Sequence, residues 1–143
     1  MGIVLVILLS IIAGIAKSIC DTLFFRYEYS VFKDAKFIWD VWGPVDGKAG
    51  TWKNKWKLDD NGNVIRDSNG QPKYERFYLS STLLVWLTDP WHAFDNIRIL
   101  SMFSIPLSVI LFGLKWWIVL LCVVAFYLTF HIIFDFHLLS KQQ

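Results

Sequence analysis

Charged residues are scarce in this chain, and the two signs of charge nearly balance. Asp, Glu, Lys and Arg make up 18% of its 143 residues, whereas soluble globular proteins carry about a quarter. Lys and Arg number 14 and Asp and Glu number 12, so the formal net charge is +2. A dedicated nucleic-acid binder would have a large basic excess, and we therefore expect no nucleic-acid partner.

Cysteine is rare as well, and familiar catalytic motifs are missing. Cys20 and Cys122 are the only two cysteines, and both lie in apolar stretches, where a free cysteine behaves as a small hydrophobe. Two cysteines so placed form neither a disulfide framework nor a zinc-binding motif. The sequence has no Walker loop, no H-E-x-x-H and no G-x-S-x-G motif. It therefore identifies no reaction, and whether the protein is an enzyme stays open.

Long apolar stretches are what the chain has in abundance. Apolar residues make up 55% of it, and the mean hydropathy is +0.45. A helix that crosses the hydrocarbon core needs about 20 apolar residues, and three stretches, about 2–25, 90–112 and 116–139, meet this length. We predict an all-α membrane protein, a single polytopic domain over 1–143 with three transmembrane helices. Because a three-residue link joins the last two spans, we expect them to be antiparallel neighbours.

A polar loop over residues 26–76 separates the first two spans and holds ten of the 14 Lys and Arg residues. The positive-inside rule places this loop and the C-terminus in the cytoplasm and the N-terminus outside, as in a multi-pass protein of the cell inner membrane. Two Asn-Gly pairs predict a short β-hairpin over about 51–77. Residues 77–88 are apolar but too short to span, which predicts an interfacial or re-entrant helix. No internal repeat is visible.

Each span carries one acidic and one basic side chain near its predicted cytoplasmic end. The two members of a pair are three or four residues apart, which places them on one face of their helix. On each helix the base lies about one turn deeper than the acid, so we expect the pairs to form one intramembrane polar cluster. The members of this cluster are Lys17, Asp21, Asp95, Arg98, His131 and Asp135.

Three interpretations of the polar cluster compete. In the first, which we favour, each helix neutralises its own charge and the pairs hold the bundle together. In the second, His92, His131 and Asp135 bind zinc or iron, and the protein is a membrane-embedded metal-dependent hydrolase acting at the cytoplasmic interface. In the third, which we favour least, the cluster conducts protons or ions, which would require an oligomer.

The loop also has a sequence suited to a membrane surface. Its bases and aromatic side chains alternate, a composition that fits anionic headgroups beside a bilayer better than nucleic acid. The residues concerned are Trp52, Lys53, Lys55, Trp56 and Lys57. We therefore predict an accessory, assembly or interaction component at the inner leaflet. It would need no cofactor, and its partners would be the lipid bilayer and either another protein or further copies of itself.

Residues 21–32 and 80–94, together with the Trp-Lys segment 52–57 between them, resemble a group of small bacterial or phage integral membrane proteins that is itself uncharacterised. The resemblance covers roughly the central two-thirds of the chain. It implies a membrane protein, and it implies no activity, cofactor or catalytic residue.

Overall fold

A computed structural model of the chain describes residues 1–33 and 54–138. It contains three long helices, α1 (Gly2–Phe25), α2 (Pro90–Leu111) and α3 (Ile118–Ile133), the last continuing into a π-helical turn over Phe134–Leu138. With that turn included, each of the three is long and apolar enough to cross a membrane. The predicted all-α architecture with three candidate spans is therefore confirmed.

Helix α1 lies between the other two helices. The thiol of Cys122, in α3, contacts the carbonyl oxygen of Val6 at 3.7 Å, and the Ser18 hydroxyl donates to the carbonyl oxygen of Phe130, also in α3, at 3.0 Å. These two contacts show that α3 runs parallel to α1. Helix α2 runs in the opposite direction, because its C-terminal cap, Phe112, packs against Gly2.

Small and hydroxyl-bearing residues allow α1 to occupy this central position. The hydroxyls of Ser10, Ser18 and Thr22 each donate to a carbonyl oxygen one turn earlier in α1, at 2.8 Å. All three side chains are buried, and these hydrogen bonds within α1 satisfy their polar atoms, while the Ser18 hydroxyl also contacts the Phe130 carbonyl oxygen of α3. Small side chains on this face let the neighbouring backbones approach closely.

The reversal between α2 and α3 forms as expected, but the two helices pack less closely than we predicted. Gly113 adopts a φ of 59°, a left-handed conformation that glycine adopts at no steric cost. Beyond this turn, both α2 and α3 make most of their contacts with α1 and few with each other. A short link thus brings the two helices together at one end, while packing against α1 determines where the rest of each helix lies.

The N-terminal end of α2 follows the expected signals. The carboxylate of Asp89 accepts a hydrogen bond from the His92 backbone amide at 3.0 Å, and Pro90 occupies the first helical position. Both are favoured residues at those positions of a helix. The helix then continues through Pro106 as far as Leu111.

The predicted β-hairpin is not supported, since the described residues contain no β-strand. Residues 54–76 instead form three isolated antiparallel bridges, which join Trp56 to Glu75, Leu58 to Val64 and Arg66 to Pro72. Between the bridges lie two equivalent five-residue turns, 59–63 and 67–71. Backbone pairing outside the turns is limited to single bridges, so no continuous ladder of the kind a strand needs forms in this segment.

The two turns have the same hydrogen bonds. In each, the first residue is an aspartate whose Oδ1 accepts the amides two and four residues later, at 2.8–3.0 Å. Its own amide donates to the fifth residue's carbonyl at 2.8 Å. Asp59 and Asp67 therefore start two copies of one turn, eight residues apart. This is an internal repeat that we did not detect in the sequence.

Residues 77–88 do not form the interfacial or re-entrant helix that we predicted. The only helical turn within them is a 3₁₀ turn over Val85–Leu87. Leu79 has a φ of 60°, a left-handed conformation that a right-handed helix cannot contain. The Glu75 carboxylate accepts the Leu79 amide at 2.9 Å and also accepts the hydroxyl of Ser81, so it stabilises a turn at this point.

Candidate functional site

Two pairs of opposite charges lie within α1 and α2. The Lys17 ammonium is 2.5 Å from both carboxylate oxygens of Asp21, one turn later in α1. In α2, the Nε and Nη2 atoms of Arg98 donate to Oδ1 of Asp95 at 2.9 and 2.7 Å. Each cation is thus neutralised by an acid of its own helix.

These pairs lie at the same end of the bundle, which we call the polar end. It comprises the C-terminal ends of α1 and α3 and the N-terminal end of α2. At ~1.5 Å of rise per residue, Lys17 and Arg98 both lie about 12 Å from the end of their helix, and the two acids about 6 to 8 Å. The bases are therefore rooted one turn deeper than the acids on both helices.

The two pairs line one open cavity of about 300 Å³ between α1 and α2, which we call the α1–α2 cleft. Aromatic side chains of both helices form part of its wall, and the thiol of Cys20 contacts the Trp91 carbonyl oxygen at 3.6 Å across it. Its lining residues are Lys17, Cys20, Asp21, Phe24, Phe25, Trp91, Asp95 and Arg98. With two cations and two carboxylates, the formal charge of the cleft is zero.

No ion pair joins α1 to α2 among the described residues; both pairs stay within one helix. Hydrogen-bonded pairs of this kind neutralise each helix separately. They do not link the two helices, which was the second half of the interpretation that we favoured. The packing of α1 against α2 instead depends on small and apolar side chains.

The third predicted pair is separate from the cleft. The Nδ1 atom of His131 is 3.3 Å from the Asp135 carboxylate, and the two side chains are 64% and 49% exposed. Neither lines the cleft. The structure therefore brings four of the six residues of the predicted polar cluster together and leaves His131 and Asp135 on an exposed face of α3.

The three proposed metal ligands do not converge. The Nδ1 atom of His92 is 2.5 Å from Asp89, whose carboxylate is fully buried and also accepts the Thr88 hydroxyl at 3.1 Å. His131 pairs with a different acid, Asp135. Within residues 1–33 and 54–138, no group of three or more His, Cys, Asp or Glu side chains could hold a metal ion. A zinc site needs at least three protein ligands.

Part of the predicted membrane surface lies outside the described residues, namely Trp52 and Lys53. Of the rest, the Lys55 ammonium lies 6.0 Å from the centre of the Trp56 ring, and Lys57 is exposed. Nearby, the Lys73 ammonium lies 5.0 Å from the Tyr74 ring, and its contact with the phenol raises the pKa of Lys73. Bases and aromatic rings thus contact each other in this segment.

Two carboxylates within residues 54–76, which we call the polar segment, are held in their charged form. The backbone amides of Asn63 and Asn61 lower the pKa of Asp59, because they donate to its ionised form. Hydrogen bonds from the hydroxyl of Ser81 and from backbone amides likewise lower the pKa of Glu75. Both acids act as fixed hydrogen-bond acceptors that shape their turns.

Large apolar side chains are exposed immediately before α2, at the polar end. They belong to the segment 77–88, and the most exposed are Tyr78 (81%), Leu83 (72%), Leu87 (43%) and Trp86 (40%). The sequence predicts an interfacial or re-entrant helix here, and the apolar composition of the segment was the signal for an exposed surface. Phe24 and Cys20 were also missed as cleft residues, because nothing in the sequence shows which face of α1 meets α2.

Comparison with protein-family models, with curated proteins and with solved structures gives no match for this chain. The resemblance to small bacterial or phage membrane proteins therefore stays a prediction.

Proposed function

We propose that this chain is a multi-pass protein of the cell inner membrane that acts by interaction, as an accessory or assembly component at the cytoplasmic leaflet. The observation that carries this proposal is that the exposed apolar segment 77–88 lies directly before α2 at the polar end. Its large exposed side chains are amphipathic or apolar, which suits the boundary between headgroups and hydrocarbon. The segment would fix the adjoining polar segment against the membrane surface.

The charge distribution supports the orientation. Ten of the 14 Lys and Arg residues lie in residues 26–76, whereas the opposite end of the bundle has Lys115 and the N-terminus. Loops rich in Lys and Arg stay on the cytoplasmic side. The same bases, alternating with Trp, would attract anionic headgroups of the cytoplasmic leaflet.

The repeated turns support binding of a protein. Both are exposed, and both are fixed by an aspartate that accepts two backbone amides. Two turns of one shape, eight residues apart, present a pre-organised polar surface, and pre-organisation lowers the entropy cost of binding. The partner would be another membrane-associated protein or a second copy of this chain.

Photo-cross-linking in native membranes tests this function. A benzophenone side chain is introduced at Asn61 or Ser68, at the tips of the two turns, and at Ile110, which is 76% exposed on α2 near the opposite end, as the matched control. We expect one protein adduct of defined mass from both turn positions and none from Ile110. An adduct of twice 16.7 kDa would identify a second copy as the partner.

Two results would contradict the proposal. The first is the absence of any protein adduct from either turn, and the second is an equal yield from Ile110. Disrupting one turn with Asp59→Ala provides a further check, because a partner that binds the ordered turns should give less adduct from Asn61. The orientation is tested separately by a cysteine at Asn61, which a membrane-impermeant maleimide should not label in intact cells.

A further inference from the structure

We propose that the α1–α2 cleft binds the headgroup of a zwitterionic phospholipid, with its phosphate on the cations and its ammonium on the carboxylates. Phosphatidylethanolamine is the simplest lipid of this class. The inference goes beyond the proposed function and needs no protein partner. It shares with that function only the placement of the three helices in a membrane.

The charge content of the cleft selects this class of ligand. Two cations, Lys17 and Arg98, and two carboxylates, Asp21 and Asp95, line the same cavity. A phosphate alone would meet both carboxylates, and an ammonium alone would meet both cations. A ligand with both charges a short distance apart meets a complementary partner for each, and an unpaired charge is costly even in a partly buried site.

The order of the basic and acidic residues along the helices matches the order of the charges in a lipid. Lys17 and Arg98 are rooted about 12 Å from the helix ends, deeper than Asp21 and Asp95 by about one turn. In a glycerophospholipid the phosphate is attached to the glycerol, and the ammonium lies beyond it on the side of the water. A headgroup that enters between α1 and α2 therefore meets the cations with its phosphate and the acids with its ammonium.

The Arg98–Asp95 pair has capacity for a further hydrogen bond on each partner. Arg98 uses Nε and Nη2 on one oxygen of Asp95, and the contact of its Nη1 atom is a long one, 3.6 Å to the sulfur of Met102. Within the described part of the chain, the second oxygen of Asp95 accepts no hydrogen bond. An ammonium can bind this oxygen, and a phosphate oxygen can bind Nη1, with the existing ion pair intact.

Aromatic rings complete the site. The rings of Phe24 and Trp91 face the cleft with their centroids 6.2 Å apart, and Phe25, also in its wall, is 67% exposed. Aromatic faces attract an ammonium group, and their edges pack against the glycerol and the first carbons of the acyl chains. The residues needed for both parts of a lipid headgroup thus line a single cavity.

Native mass spectrometry of the detergent-purified full chain tests the proposal with three lipids that have the same two oleoyl chains. Phosphatidylethanolamine has both charges, phosphatidylglycerol has only the negative one, and a dioleoyl trimethylammonium lipid has only the positive one. We expect the apparent affinity for phosphatidylethanolamine to exceed that for each of the other two by at least about tenfold. Equal or tighter binding of phosphatidylglycerol would overturn the proposal.

Single substitutions then separate the two halves of the site. Asp95→Asn should lower phosphatidylethanolamine affinity about tenfold and shift the preference toward phosphatidylglycerol, whereas Arg98→Gln should shift it toward the cationic lipid. A merely structural role would not reverse the preference in opposite directions. Asp135→Asn, in the exposed pair of α3, is the matched control and should bind as the parent does. Equal losses in all three variants would overturn the proposal.

Two further experiments complete the test: the same charge changes on α1, and competition by a soluble headgroup. If a variant of α2 does not fold, as judged by helicity and gel filtration, Asp21→Asn and Lys17→Gln make the same two changes on α1. Water-soluble glycerophosphoethanolamine, at the lipid's concentration, should not displace the bound lipid. Displacement by it would assign the cleft to a soluble zwitterion and overturn the lipid as ligand. The turn cross-links are unaffected by any of these results, so the two proposals fail separately.

Discussion

Gly14 of α1 and Phe126 of α3 are so close that a Cβ atom built on the glycine would lie 2.7 Å from the Phe126 carbonyl oxygen. A real Cβ cannot approach a backbone oxygen that closely, so Gly14→Ala must push α3 away from α1. We expect this substitution to lower the free energy of unfolding by about 1 to 3 kcal/mol, the usual cost of overpacking.

Thermal melting in detergent, followed by circular dichroism, measures this effect. The matched control is Val124→Ile, which also adds one methyl group but on a side chain of α3 that is 53% exposed. We expect the control to melt within about 2 °C of the parent, since exposed substitutions change stability by less than roughly 0.5 kcal/mol. If the two variants melted at the same temperature, Gly14 and Phe126 would not be in the close contact described above.

The second prediction about stability concerns the fully buried carboxylate of Asp89. It accepts the backbone amide of His92, and it pairs with that residue's ring and with the Thr88 hydroxyl. Asp89→Ala would remove all three interactions, at a cost of about 2 to 4 kcal/mol from the lost N-cap and the stranded buried groups. Asp89→Asn keeps an acceptor for the amide and should lose less.

Equilibrium unfolding in mixed micelles measures the free energy of unfolding of both variants. The order parent, Asp89→Asn, Asp89→Ala is the expected result. If the alanine variant were as stable as the parent, water or lipid headgroups would be forming the hydrogen bonds that Asp89 accepts at the N-terminal end of α2.

The sequence was sufficient to predict the three apolar helices and the cap of α2. Length and hydropathy decide whether a helix can cross a membrane, and Asp89-Pro90 is a local signal. Spacing along one helix was likewise enough to predict that Lys17 would pair with Asp21. These features depend on residues within a few positions of each other.

The arrangement of the helices could not be predicted in this way. Which face of α1 meets α2 depends on packing of all three helices at once, so Cys20 and Phe24 were not identified as cleft residues. The same reason explains why His131, which the sequence placed in one polar cluster with Lys17 and Arg98, does not line the cleft. The β-hairpin predicted for the polar segment does not form. An Asn-Gly pair is compatible both with a hairpin between two strands and with the short Asp-anchored turns observed here. Only the pairing of residues farther apart in the sequence distinguishes the two.

The turn over residues 59–63 should respond to acid. Backbone amides lower the pKa of Asp59 in the folded chain, so ionisation of this carboxylate stabilises the turn at pH values above the ordinary pKa of an aspartate. That stabilisation is lost as the pH falls through the lowered pKa. Amide hydrogen exchange at Asn61 and Asn63, measured by NMR over an acid titration, should show protection that disappears in this range.

Asp59→Asn is the control for the acid response. Its side-chain oxygen still accepts an amide hydrogen but has no charge to lose, so protection should be weaker and independent of pH. Protection in the parent that persists at pH values well below the lowered pKa would show that the carboxylate does not hold the turn.

The last prediction concerns the turn that begins the segment 77–88. Leu79 is left-handed, which costs a residue with a side chain about 1 to 2 kcal/mol, and the Glu75 carboxylate holds the turn through the amides of Leu79 and Ser81. Glu75→Ala should therefore speed hydrogen exchange at both amides at least fivefold. Glycine adopts this conformation without strain, so adding Leu79→Gly to Glu75→Ala should restore most of the protection. If the double variant exchanged as fast as Glu75→Ala alone, backbone strain at Leu79 would not be what the carboxylate opposes.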